Sequence, residues 1–208
     1  AIFQSGNENT VLGFGGWESV GPYRVAPPYR RYYGVGENLG RVNGIAFSND
    51  GSLALAAAAQ GGVWRSSALG GFTQWNPLSW DWPALHTSCV AIDPSNENHI
   101  YVGTGDHHGL SGSAFYLGLA RGFGIMRSLD GGTTWQNFAR NSFGSSPVAE
   151  IVIVPESPNI VLAAVGVGAS SATDGVWRST DHGATWTRVL SLSGSGFSSM
   201  AKSAQFGN

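Results

Sequence analysis

Ser128-Leu-Asp-Gly-Gly-Thr-Thr-Trp135 is repeated in register by Ser179-Thr-Asp-His-Gly-Ala-Thr-Trp186, so the chain carries the pattern S-x-D-x-G-x-T-W twice. A third copy, Ser67-Ala-Leu-Gly-Gly-Phe-Thr-Gln-Trp75, keeps the glycines, the threonine and the tryptophan but lacks the aspartate. Each copy follows a short apolar segment of one kind: Val63-Trp-Arg-Ser66, Ile125-Met-Arg-Ser128 and Val176-Trp-Arg-Ser179. Glycine supplies positive φ at a tight turn, and Asp and Ser side chains bond the amides that the turn leaves free. The tryptophan then returns the next strand to the core. The repeated unit is a hairpin closed by a latch, built on Ser128, Asp130, Gly132 and Trp135 in one copy and on Ser179, Asp181, Gly183 and Trp186 in the other.

The tryptophans that end the latches lie 60 residues apart (Trp75 to Trp135) and 51 apart (Trp135 to Trp186), periods that signal a repeat architecture. Four strands can be read in each unit. The first holds Arg41–Ser48, Leu53–Ala59, Gly62–Ser66 and Thr73–Leu78; the second holds Cys89–Asp93, Ile100–Thr104, Gly124–Ser128 and Thr134–Phe138; the third holds Ala149–Val154, Ile160–Val165, Gly175–Ser179 and Thr185–Val189. Asn, Asp, Gly and Pro punctuate them, as at Asn49-Asp-Gly51, Pro94–Asn98 and Pro155–Asn159. Four short strands per unit, in tandem, predict an all-β fold: the four-stranded antiparallel blades of a β-propeller. Blades are expected over 41–78, 88–138 and 148–189, with Trp17–Pro22 as the outer strand of a closing blade and 195–208 opening a further one. That is about three and a half blades, against four to eight in a closed ring. The expectation is a partial propeller, completed by further blades of the same longer polypeptide or by another chain.

Composition narrows the function classes. The chain of 208 residues has 31 glycines, 12% aromatic residues and only 12% charged ones, which suits many short strands and tight turns rather than a helical bundle or a disordered chain. A net charge of -2 without a basic run argues against nucleic acid as a partner. No apolar run reaches the roughly 20 residues of a membrane span. The single cysteine, Cys89, lies in an apolar strand and reads as core. No signal peptide stands at Ala1, so an exported protein would already have lost it.

The two full latches resemble the Asp-box, or bacterial neuraminidase repeat, of sialidases, endo-xyloglucanases and the luminal propellers of sortilin-type receptors. Gly61-Gly-Val-Trp-Arg-Ser66, Ile92-Asp-Pro-Ser-Asn96 and Tyr101-Val-Gly-Thr-Gly-Asp106 are similar to segments of large secreted bacterial propellers of sortilin-like or glycosyl-hydrolase-like repeats. The resemblance spans roughly residues 17–190. It implies a propeller and an extracellular or cell-surface location. It also implies that Asp130 and Asp181 are structural, because the Asp-box lies far from the active face in that family.

If the latch joins the third and fourth strands, the opposite ends carry the loops Tyr23–Gly40, Asn76–Thr87, Gly105–Phe123, Gln136–Pro147 and Gly166–Asp174. These are richer in aromatics and arginine than the turns across from them. Tyr29, Arg31, Tyr32, Trp80, Trp82, His107, His108, Tyr116 and Arg121 are the candidate ligand-binding residues. Aromatic faces stack on apolar ligand surfaces and guanidinium groups bind acids bidentately, a combination that suits a glycan or a protein ligand. The same rings could instead plug a channel or pack against missing blades. Asp106-His107-His108 has a metal-ligating look but lacks a third and fourth ligand, so neither a metal nor another cofactor is expected.

Glycoside hydrolysis needs two carboxyl groups about 5–5.5 Å apart for retention or about 6.5–9.5 Å apart for inversion. Glu150, Asp106 and Asp81 are the catalytic candidates, and of these Glu150 falls on an expected innermost strand. The resemblance implies a catalytic aspartate just after the second strand of the first blade in xyloglucanases, where this chain reads Ala57-Ala-Ala-Gln60-Gly-Gly62. The sialidase motif Tyr/Phe-Arg-Ile-Pro is matched only by Tyr23-Arg-Val-Ala-Pro27, one residue too long. The sequence therefore favours a secreted, non-catalytic binding module. A glycoside hydrolase whose acid pair lies partly outside this segment, and a structural subunit of an extracellular assembly, are the alternatives.

Overall fold

Short apolar strands broken by turn residues build three separate four-stranded antiparallel sheets in the computed structural model, which describes residues 41–79, 81–106, 121–166, 172–191 and 199–201. The first blade contains β1 (Val42–Phe47), β2 (Leu53–Ala58), β3 (Gly62–Ser67) and β4 (Asn76–Pro77). The second contains β5 (Thr87–Asp93), β6 (Asn96–Thr104), β7 (Ile125–Ser128) and β8 (Gln136–Phe138). The third contains β9 (Val148–Ile153), β10 (Val161–Val165), β11 (Gly175–Ser179) and β12 (Thr187–Leu190). In each blade the spatial order follows the sequence, and the first strands β1, β5 and β9 lie beside one another as the inner edge. The expected outer strand at 17–22 and most of 195–208 lie outside the described residues, and 199–201 form no strand.

The fourth strands are shorter than the sequence suggests because the latch occupies their beginnings. In the second blade Ser128 Oγ donates to Asp130 Oδ1 (2.7 Å) and accepts from Gly132 N (2.8 Å). Asp130 in turn accepts from Thr134 N (2.8 Å) and Thr134 Oγ1 (2.6 Å), and Trp135 Nε1 donates to Gly132 O (3.0 Å). The third blade repeats the set with Ser179, Asp181, Gly183, Thr185 and Trp186. The first blade, without the aspartate, substitutes a 3-10 turn at Ala68–Gly70, and Ser66 Oγ donates to Gln74 O (2.6 Å).

Two carboxylates so engaged are held ionised. The Thr134 hydroxyl and amide, with Ser128, lower Asp130 to about 2. At Asp181 slight burial acts in the opposite direction, but Thr185 and Ser179 still lower it to about 2. Because these values lie below the ordinary carboxylate value near 4, the stabilisation is fully present above pH ~4 and is lost as pH falls toward 2. Acid unfolding followed by tryptophan fluorescence should therefore have a limb in that window. The double variant Asp130→Asn, Asp181→Asn should be less stable at neutral pH with that limb flattened; an unchanged acid limb would refute the assignment.

Two devices join neighbouring blades, arginine grips and aromatic seams. Arg65 Nη1 on β3 donates to the carbonyl of Gly131 in the second latch (3.1 Å), and Arg127 Nη1 on β7 donates to the carbonyl of His182 in the third (2.7 Å). Each latch is also tied back to its own blade: Gly131 N donates to Asn98 O at the start of the second strand and His182 N to Asn159 O just before it, both at 3.0 Å. Aromatic side chains of the connectors fill the seams. Trp82 packs edge-on against Trp135 (5.0 Å) and Phe123 (6.5 Å). Phe143, from a single helical turn α1 (Arg140–Phe143), packs against Trp177 (5.2 Å) and Trp186 (5.5 Å). The segment Gln136–Pro147, expected as a loop, thus contains all of β8 and this helix. Cys89 is buried and free, as expected, and desolvation raises its thiol to about 12, with the nearby Glu150 charge acting in the same direction.

Candidate functional site

The end of the blades opposite the latches is built by the β2–β3 and β6–β7 connections and by the crossovers between blades. β6 ends at Thr104, and Gly105 N donates to His86 O (3.0 Å), tying this corner to the crossover that precedes β5. Asp106 follows directly and is buried at 5% exposure. Its Oδ2 receives Arg41 Nη2, and Asn43 Nδ2 reaches Oδ1 at 3.5 Å while donating to Thr87 O (2.8 Å). Thr87 Oγ1 closes the cluster on Ala58 O (2.7 Å) and Gly62 O (3.1 Å). Asp106 is therefore an ion-paired carboxylate at the junction of the first two blades. Its partner Arg41 lies 65 positions upstream, which is why no local motif announced the pair.

Glu150 is differently placed. It lies on β9, paired with Ala164, half-buried, and desolvation raises its carboxyl above the ordinary value. Among the described residues it has no ion pair. Asp174, a further carboxylate that the sequence offers off the latches, is buried on this end of the third blade; its Oδ1 accepts from Ser146 Oγ (3.0 Å), while its Oδ2 has no hydrogen-bond partner among the described residues.

Asp81 and Arg121 are exposed. Trp82 corrects the expectation of an aromatic presented to ligand: it is 8% exposed and belongs to the hydrophobic core between the first two blades. A seam between twisted sheets needs a large ring to fill it, and the crossover supplies one by dipping inward. Tyr29, Arg31, Tyr32, Trp80, His107, His108 and Tyr116 lie outside the described residues. The metal-ligating side chains that do converge among the described residues, Asp93, His99 and His182, involve the latch of the third blade instead.

These features define the class: a partial β-propeller whose latch-bearing end is locked by backbone contacts and whose opposite end carries the longer connections. No family model matches the chain. A xyloglucanase from Paenibacillus is 28% identical over 148 residues, covering 62% of this chain and 13% of the relative. A xyloglucanase from Hypocrea jecorina is 29% identical over 191 residues, covering 79% of this chain and 22% of the relative. Among solved structures, the GH74 enzyme of Niastella koreensis matches with a TM-score of 0.55 at 24% identity, over 73% of this chain and 22% of that one. The GH74 xyloglucanase of Xanthomonas campestris matches with a TM-score of 0.50 at 24% identity, over 72% and 21%. The chain is distantly related to xyloglucanase propellers and spans less than a quarter of the length of these relatives. Among the described residues no helix is long and apolar enough to cross a membrane.

Proposed function

We propose that this chain is a non-catalytic part of an exported, polysaccharide-binding β-propeller, and that the end opposite the latches contributes a surface for a glycan of the xyloglucan class. The distant relatives named as xyloglucanases support the substrate class. The observation that carries the non-catalytic reading is the state of the carboxylates. Among the described residues, Asp106 is committed to Arg41 and Asn43 and Asp174 receives Ser146, so neither is a free acid to work beside Glu150. A hydrolytic role would need a second carboxyl group from another segment or chain.

Affinity electrophoresis in gels containing xyloglucan, with a reducing-end assay on the same protein, tests this. Retardation by xyloglucan without release of reducing ends is the expected result. No retardation by any β-glucan would sink the binding reading. Hydrolysis that falls by about a hundredfold or more in Glu150→Gln would establish the hydrolase instead, with Glu150 as its general acid or base.

Further blades beyond the third have their own support. Arg178 stands on β11 in the register that Arg65 and Arg127 occupy on β3 and β7, yet it is exposed and has no hydrogen-bond partner among the described residues. We read it as the grip for the latch of a following blade, from the same longer polypeptide or from another chain.

A further inference from the structure

His182 stands where the chain's own repeat places glycine. The fourth residue of the second latch is Gly131, with φ +70°; its counterpart in the third latch is His182, with φ +56°, a region that disfavours any residue with a Cβ. The backbone there is fixed on both sides. His182 N donates to Asn159 O, and its carbonyl accepts from Tyr101 Oη (3.0 Å) and from Arg127. The side chain is half-buried, its ring centre lies 6.0 Å from that of His99, and its Nδ1 is sealed from solvent without a hydrogen-bond partner among the described residues.

Across the seam, Asp93 ends β5 and is 2% exposed. Its Oδ1 is satisfied by Ser95 N (2.8 Å) and Ser95 Oγ (2.7 Å), while its Oδ2 faces His99 Nδ1 at 3.3 Å. One ligand atom from each of Asp93, His99 and His182 lies within 4.8 Å of the others. Where the first and second blades meet, the corresponding places in the strand register and the latch hold Ser48, Leu53 and Gly131. The three ligating side chains therefore occur together at one junction and at none of the same places in the other described junction.

We propose that Asp93, His99 and His182 bind a divalent transition-metal ion of the zinc class and thereby pin the third blade to the second. Two imidazoles and one carboxylate form a nitrogen–oxygen donor set suited to zinc, with a fourth position left for water, and ill suited to calcium or magnesium. Two ligands on a tetrahedral zinc with bonds of about 2.0–2.1 Å are roughly 3.3 Å apart. Asp93 Oδ2 and His99 Nδ1 already stand at 3.3 Å. Zinc takes the position of the hydrogen between these two atoms, the neutral His99 ring keeping its one N–H on Nε2, and the torsions of the His182 side chain bring the third ligand in. The site lies at the latch and is independent of the glycan reading.

The test is calorimetric titration of the purified, chelator-stripped protein with zinc chloride, alongside thermal melts. One-to-one binding is expected, with a rise in Tm of about 5–10 °C at zinc a hundredfold above Kd. Calcium chloride should produce no shift. His182→Gly installs the residue of the neighbouring latch, so its metal-free Tm should equal or exceed that of the parent, while zinc affinity falls about a hundredfold or more. His99→Asn should lose affinity in the same way. Absence of saturable zinc binding at micromolar concentration, or binding retained in either variant, overturns the proposal.

Discussion

Tyr101→Ala is expected to destabilise the protein by about 3–5 kcal/mol, read as a fall in the urea midpoint with an unchanged m value. The ring is completely buried on β6 and belongs to the core between the second and third blades. A Cβ placed on Gly183 would approach its Cε1 to 3.0 Å, so the latch of the third blade is seated directly on this ring. Its removal leaves a cavity beneath the turn and takes away the hydroxyl that bonds His182 O (3.0 Å). Tyr101→Phe separates the two effects. The carbonyl of His182 keeps Arg127 at 2.7 Å, so loss of the hydroxyl alone should cost only about 0.5–1.5 kcal/mol. Burial raises the phenol to about 12, so the hydroxyl persists as a donor through the ordinary alkaline range. A loss below about 1 kcal/mol in Tyr101→Ala would show that the latch does not depend on this ring.

Gly124→Ala is the second large effect, with an expected loss of about 2–6 kcal/mol: roughly 1–3 from backbone strain and roughly 1–3 from overpacking. Gly124 has φ +101°, and a Cβ there would run into the carbonyl oxygen of Phe138 and the backbone of Arg140, neither of which is a flexible side chain. The third strand of the second blade starts at this point and lies against the end of the fourth. Gly51→Ala is the control. It shares a positive φ of +71° but meets nothing within 4 Å, so only the conformational term of roughly 1–2 kcal/mol remains. Equal melting temperatures for the two variants would contradict the steric account.

What the sequence made legible follows the same physics. The latch demands particular side chains at particular offsets: Ser128 and Asp130 for the free amides, Gly132 for the turn, Trp135 for the return to the core. A requirement that strict leaves a visible repeat, and from it came the blades and their strand order. The connectors are bound by no such rule. Trp80-Asp-Trp82 reads as a surface aromatic pair because nothing local tells a ring offered to ligand from one turned into a seam, yet Trp82 is core. Phe143 likewise gives no periodic signal, because one helical turn is too short to have one. Arg41 with Asp106, and Asp93 with His182, are juxtaposed by the stacking of blades, and stacking joins positions 65 and 89 residues apart.

The grip of Arg65 and Arg127 on main-chain carbonyls has a consequence for how such a protein can change. A guanidinium that binds a peptide oxygen does not read the side chain attached to that peptide. The same bond forms on Gly131 in one junction and on His182 in the next. The structural duty of the fourth latch residue is thus discharged by its backbone, and a side chain there answers only to the left-handed φ. Both described junctions accordingly carry an address, at a fixed distance from the preceding blade, where a functional group can be introduced at the cost of that φ without redesigning the joint.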